Sequence, residues 1–413
     1  MVDKDFVQLY SKNMIIQREK YLQQLRQYKD KQLIKVVSGI RRAGKSTLLQ
    51  MFQQELLDSK VKKEQILFIN FEDLAYRDIL TSTTAYDYIQ SRLVRGKKNY
   101  IFLDEIQNVL EFERMANSLF IQENVDLYIT GSNAYFLSSD LATVLTGRYI
   151  QIHLFPLSFA EYITAFNDNN NLQELYANYI NRSSFPQALE LFLDDPKKVK
   201  PYLQSIYDTI LFKDIVARKN IKQENTLQDI VKFTFDNIGN PTSSYKISTS
   251  LTASGRKVSN HTVDDYITAL TDSFVLYRAD RYDVRGKAIL QTQQKYYCVD
   301  PALRQLLSKT PPTDYGRILE NVIFLELLRR YDEVMIGKVD NKEVDFVAMI
   351  NDEVHYYQIA LSVRDDKTRA RELAAFPADH YTKYLLTLDP EEGNIEGVRQ
   401  LNALNWLANK IRN

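Results

Sequence analysis

Gly39-Ile40-Arg41-Arg42-Ala43-Gly44-Lys45-Ser46-Thr47 directly follows the apolar run of residues 33–38 and satisfies G-x-x-x-x-G-K-[ST]. A strand that enters a glycine-bearing loop and leaves it as a helix is the setting in which this pattern holds phosphate. Glycines let the backbone wrap the anion, loop and helix N–H groups face it, and a lysine offsets its charge. The reading assigns Gly39, Arg42, Ala43, Gly44, Lys45, Ser46 and Thr47 to ATP, with Lys45 on the β/γ-phosphates and the Ser46 hydroxyl on Mg²⁺. The alternative is a plain strand-to-helix turn with a surface lysine, and the strand upstream argues against it.

Outward from this loop, short apolar runs alternate with helical patterns between residue 32 and about residue 152: LIKVVSG, QILFINFED, NYIFLDE, DLYITGSN and RYIQIHL. Their β-branched and aromatic content predicts a mainly parallel sheet covered by helices. The third run closes on Asp104 and Glu105, at the edge where a parallel sheet places its ligands. Asp104 is expected to hold Mg²⁺ and Glu105 to polarise the water that attacks the γ-phosphate; a solvated acidic helix cap is the alternative. The fourth run ends in Thr130-Gly131-Ser132-Asn133, which makes Asn133 the candidate γ-phosphate sensor, against a simple turn of good turn formers. Arg148, within Thr146-Gly147-Arg148-Tyr149, is the candidate arginine finger, in its own or a neighbouring subunit, against a salt-bridge arginine.

Composition sets the frame around these motifs. The chain has 413 residues, 45% hydrophobic and 26% charged, which fits a folded multidomain protein rather than a disordered or collagen-like one. Lys plus Arg and Asp plus Glu both total 53, so no global field steers the molecule to nucleic acid or membrane. A single cysteine, Cys298, excludes an intrachain disulfide framework, and four scattered histidines show no zinc spacing. No apolar run approaches the roughly 18 residues of a membrane span, and the start MVDKDFVQLYSKNMIIQREKYL lacks a signal-peptide core, so a cytoplasmic address is expected. The pattern of residues 17–29 predicts a charged, amphipathic helix that packs on the core, with closure over the adenine the alternative.

The segments GIRRAGKST, NFED, YIFLDEIQN, YITGSN, LTGRY and FPLSFAEY, in that order, resemble the bacterial and archaeal AAA-type ATPases with a C-terminal domain of unknown function. That family is similar to archaeal DExx-box ATPases. The resemblance implies a multidomain α/β architecture: a P-loop NTPase parallel sheet (1–154), a helical lid (155–238), a winged helix (239–312) and a restriction-endonuclease-like α/β module (313–413). In the lid, Ser183-Ser184-Phe185-Pro186 stands where such proteins often carry Gly-Gly-Phe-Pro, so close backbone approach to nucleotide there is in doubt.

The downstream modules read less sharply. TSSYKISTSLTASG and SNHTVDDYITALTDS predict two helices, and FVLYRADRYD and QKYYCVD a hairpin that would form the wing. Between Pro241 and Asp300 eight Lys and Arg face six Asp and Glu, a weak polyanion footprint, and Asp264 and Asp265 would repel phosphates. DNA contact and protein docking both stand. Glu320, Asp345 and Gln358 follow the order of a PD-(D/E)xK nuclease core, but Gln358-Ile359-Ala360 lacks the third acid and the lysine. These residues are therefore expected to be vestigial, with Lys367 or Arg371 as candidates for a migrated positive charge. The leading expectation is an Mg²⁺-dependent ATPase that couples turnover to conformational change, on DNA or on a protein partner, with homo-oligomerisation open. An ATP-gated nuclease and a nucleotide-controlled protein-interaction switch are the alternatives.

Overall fold

The computed structural model describes residues 16–131, 145, 147–166, 171–216, 221, 223–307 and 314–410. The described residues of 17–156, with 272–274, form one compact unit, and the described residues of 157–271 and 275–410 belong to a second.

In the first unit the five apolar runs become strands β1 (Ile34–Ser38), β2 (Ile66–Asn70), β3 (Asn99–Asp104), β4 (Val125–Thr130) and β5 (Tyr149–His153). They form one parallel sheet in the order β2-β3-β4-β1-β5. Every residue of β1, β3 and β4 is buried, as continuous apolar runs require when helices cover both faces. The covering helices are α1 (Glu19–Tyr28), α2 (Lys45–Asp58), α3 (Ser82–Gln90) and α4 (Phe112–Phe120). In α4, Phe112, Met115, Ala116 and Leu119 are buried at the spacing of one helical face. As expected, α1 is a packing helix: Tyr21, Leu22 and Leu25 are buried, and the helix lies against α2.

The second unit opens with the helical stretch the sequence predicts: α5 (Phe159–Ile163), α6 (Leu172–Arg182), α7 (Pro186–Asp194), α8 (Val199–Asp208) and α9 (Glu224–Asp236). Two further helices, α10 (Ser244–Ala253) and α11 (Asn260–Asp272), precede the hairpin β6 (Leu276–Asp283) and β7 (Ala288–Cys298). α12 (Pro301–Leu307) then packs on α6, α8 and α9. α13 (Tyr315–Arg330), β8 (Glu333–Val339), β9 (Lys342–Ile350), β10 (Glu353–Ile359), α14 (Asp366–Leu373), β11 (Thr382–Thr387), β12 (Gly393–Ile395), β13 (Val398–Asn402) and α15 (Ala403–Leu407) complete the chain.

The hairpin is not a free wing. Parallel pairing of Arg281, Tyr282 and Asp283 with Ile336, Gly337 and Lys338 joins β6 to β8, giving an eight-stranded sheet in the order β12-β13-β11-β10-β9-β8-β6-β7. Strands on both sides of residues 312 and 313 therefore share one hydrogen-bonded ladder. The helix–helix–hairpin order survives, but its strands belong to the C-terminal sheet. Tyr296, Tyr297, Tyr356 and Tyr357 are at most 8% exposed, so these paired tyrosines are strand-face packing rather than base-stacking platforms. Cys298 is fully buried, and burial pushes its thiol up to about 12.

Candidate functional site: a phosphate loop and an acidic strand tip

The loop between β1 and α2 is held by close packing. Gly39 has φ 143°, and a Cβ there would stand 2.2 Å from the Leu154 carbonyl oxygen, so the position accepts only glycine. Gly44 caps α2 in the left-handed region at φ 98°, which turns the chain into the helix. Arg18, preceding α1, donates to the Ala43 carbonyl (3.2 Å) and the Phe155 carbonyl (2.7 Å) and clamps the loop from outside. Arg41 reaches Glu72 at 3.2 Å. Lys45 is 4% exposed, and its ammonium donates to the carbonyls of Gly39 (3.1 Å) and Ile40 (3.3 Å).

At the tip of β3, Asp104 is fully buried. Thr130, at the end of β4, donates its hydroxyl to Asp104 Oδ1 at 2.5 Å and accepts the Glu105 backbone N–H at 3.0 Å. Asp104 Oδ2 is buried with no hydrogen-bond partner among the described residues. Burial raises the Asp104 pKa, opposed by hydrogen bonds from Thr130 and Ser46 and by the charge of Lys45. Glu105 follows in the left-handed region at φ 52°, a strained backbone for a residue with a side chain. It is 7% exposed, and Gln107 donates to its Oε2 at 2.5 Å.

These residues fit Mg²⁺ by donor chemistry. A buried carboxylate oxygen without a partner and a nearby serine hydroxyl are hard oxygen donors, and Mg²⁺ completes its shell with water and phosphate rather than a full protein cage. No group of three His, Cys, Asp or Glu suited to a metal occurs among the described residues.

The structure thus brings together Lys45, Ser46, Asp104 and, through Thr130, Glu105. It does not bring Arg148 to its own loop. Ile34 donates to the Arg148 carbonyl at 2.8 Å, and Ile34 pairs with Tyr149, so Arg148 sits where β1 begins while the loop leaves where β1 ends. The strand between them spans about 13 Å at ~3.3 Å per residue. The Arg148 guanidinium hydrogen-bonds Asn117 and lies 5.7 Å from the Phe120 ring. Asn133 lies outside the described residues. Thr130, Gln107 and Arg18 went unnoticed in the sequence. Thr130 could have been found as the hydroxyl closing the strand beside the acidic tip, whereas nothing local marks Arg18.

The second constellation is also rearranged. Lys295 on β7, not Lys367 or Arg371, faces the acids: its ammonium lies 3.3 Å from Glu320 and 2.7 Å from Glu343. Burial works against that charge, but Glu320, Asp345 and Glu343 outweigh it and raise the Lys295 pKa. Tyr297 donates to Glu320 at 2.6 Å. Asp345 accepts the Ile359 N–H at 2.8 Å, and burial followed by the Glu320 charge raises its pKa well above the usual range. Gln358 ties strand to helix, accepting the Asp345 N–H (3.2 Å) and donating to Glu372 (2.7 Å). Arg371, itself exposed, pairs with the buried Glu372, and Lys367 is exposed.

The turn at Ser183 and Ser184 is likewise spent on structure. Ser183 and Ser184 donate three hydrogen bonds to Asp300 Oδ2, at 3.1, 2.6 and 2.6 Å, while Asp300 Oδ1 caps α12 through the N–H groups of Ala302 and Leu303.

A five-stranded parallel sheet with this loop and acidic tip defines a P-loop NTPase domain. Residues 31–163 match the AAA domain family, and residues 173–314 match a domain of unknown function. An uncharacterized protein of Haemophilus influenzae is 38% identical over 398 residues, 95% of this chain and 98% of that one. An uncharacterized protein of Methanocaldococcus jannaschii is 30% identical over 341 residues, 78% and 71% of the two chains. The Walker-type ATPase of Pyrococcus abyssi shares the fold with a TM-score of 0.50 at 15% identity, over 73% of this chain and 99% of that one. The chain belongs to the family of the Haemophilus and Methanocaldococcus proteins, and its N-terminal unit carries an AAA-type P-loop ATPase domain. No helix among the described residues is long and apolar enough to cross a membrane.

Proposed function

We propose that the chain binds ATP with Mg²⁺ and hydrolyses it, using the cycle to drive conformational work. The observation that carries the reading is the unpartnered, buried Asp104 Oδ2 beside Ser46 and Lys45. A buried carboxylate oxygen with no donor costs stability, and such a cost is retained where a ligand relieves it. The Gly39–Thr47 backbone and Lys45 would hold the phosphates, and Ser46 and Asp104 the Mg²⁺. Glu105 would accept a proton from the attacking water. Bound Mg²⁺ supplies charge neutralisation across the β/γ-phosphates. Arg148, remote from its own loop, would act only on the nucleotide of a second copy, and Asn133 keeps its role as the expected sensor.

The test is ATP turnover and ATP affinity measured together. Lys45→Ala should abolish or greatly weaken binding. Glu105→Gln should keep Mg-ATP binding and lower turnover by roughly 100-fold or more. Unchanged ATP affinity in a folded Lys45→Ala variant sinks the assignment. Restored activity on mixing Arg148→Ala with Glu105→Gln subunits supports action across an interface, and wild-type turnover in Arg148→Ala alone removes the finger.

A switch that engages a protein partner is the second reading, favoured by the exposed face of α11, where Asp264 and Asp265 stand in the open and Asp265 pairs with His261 at 2.9 Å. Turnover stimulated by duplex or branched DNA would oppose it. Nuclease action is disfavoured because Lys295 and Tyr297 already engage Glu320. Mg²⁺- or Mn²⁺-dependent cleavage that disappears in Asp345→Ala while ATPase activity persists would restore the gated-nuclease alternative.

A further inference from the structure

Gln107 is spent on a single partner. After Asp104 the chain turns through the left-handed Glu105 into the short helical turn Ile106–Asn108, and the Asn108 N–H closes on the Glu105 carbonyl at 3.1 Å. This turn brings the Gln107 side chain back over the residue two positions earlier, where its Nε2 donates to Glu105 Oε2 at 2.5 Å. The other end of the amide, Oε1, is buried with no hydrogen-bond partner among the described residues. A glutamine kept for packing satisfies both ends, because a buried amide oxygen left alone costs free energy. Here one end is sacrificed so that the other can hold the carboxylate.

Two other constraints converge on the same residue. The Glu105 backbone N–H is fixed by Thr130, and its φ of 52° is held against its own strain. Backbone and side chain of Glu105 are therefore pinned separately, by Thr130 and by Gln107. A carboxylate that takes a proton in the rate-limiting step gains from such fixation, since a misplaced base loses rate without loss of ligand affinity.

We propose that Gln107 is a positioning residue for hydrolysis, acting through Glu105 by holding its carboxylate in the orientation that receives the proton of water. This rests on the ATPase reading above. Removing the amide while keeping its bulk, Gln107→Leu, loses one charge-assisted hydrogen bond, a loss that corresponds to about 10- to 100-fold in kcat. ATP affinity should stay at the wild-type value, which also reports that the nucleotide unit is folded.

The deciding measurement is a double-mutant cycle with Glu105→Gln, reading kcat and ATP Kd for all four proteins. If Gln107 works through Glu105, Gln107→Leu lowers kcat in the wild-type background and costs nothing further once Glu105 is gone. An equal loss in both backgrounds, a wild-type kcat in Gln107→Leu, or a lost ATP affinity each overturns the proposal. Absence of ATP turnover in the wild-type protein instead takes down the ATPase reading, and this proposal with it.

Discussion

Ser183 holds a backbone conformation, φ 90° and ψ 150°, that glycine adopts freely and other residues adopt at a cost of about 1–3 kcal/mol. Its hydroxyl makes up the cost. It donates to the buried Asp300 carboxylate at 3.1 Å, a bond to a charged group worth about 1.5–3 kcal/mol, and accepts the Phe185 N–H at 3.1 Å, which would be left unpaired at about 1–3 kcal/mol. Ser183→Ala keeps the strain and loses both bonds, a destabilisation of about 4 kcal/mol. Ser183→Gly loses the same bonds and sheds the strain, but adds about 0.5–1 kcal/mol of glycine entropy, for a net of about 3 kcal/mol. Glycine should thus be milder than alanine by about 1 kcal/mol, the reverse of their order at an ordinary position. Trp406, the single tryptophan, is fully buried in the same unit and reports urea unfolding directly. Alanine no worse than glycine, or both within about 0.5 kcal/mol of wild type, would refute the claim that the serine turn combines strain with a carboxylate clamp.

Thr130→Val removes the donor to Asp104 and leaves the Glu105 N–H buried and unpaired, so the urea midpoint for loss of ATP binding should fall by the equivalent of about 2–4 kcal/mol, with Thr130→Ser nearly neutral. Lys295→Met leaves Glu320, Glu343 and Asp345 without their cation and should cost about 3–5 kcal/mol at neutral pH, read at Trp406. Because the Asp345 pKa is raised in the fold, its protonated form is the stable one: that contribution is full below the unfolded-state value and is lost as pH rises through the folded value, so the Lys295→Met defect should shrink on acidification. Asp104→Asn should stabilise the nucleotide-free protein by about 0.5–2 kcal/mol, since burial disfavours the charge, while abolishing Mg²⁺-dependent turnover; a melting temperature that falls in Asp104→Asn would contradict this.

The sequence by itself determined the nucleotide unit. Five apolar runs, each continuous because both sheet faces are covered, became five parallel strands, and the glycine-lysine loop lies between the first strand and its helix as the spacing requires. These are local properties: strand period, loop length and helix start depend on neighbours within a few residues, so they survive without knowledge of the rest of the chain. The same holds for Glu105, one residue beyond a strand end.

Tertiary structure decided what distant segments do to one another. Nothing in FVLYRADRYD states whether its open edge stays free or pairs with residues 336–338, because a hairpin's two edges read alike in sequence. Lys295 stands 25 residues before Glu320, and only the packing of α13 against β7 makes it the cation of an acid cluster that Lys367 and Arg371 never reach. Ser183 and Ser184 look like lost glycines until Asp300, 116 residues past Ser184, accepts their hydrogen bonds. In each case a buried charge must be matched by whatever donor the fold brings to it, and desolvation enforces that match without regard to distance along the chain.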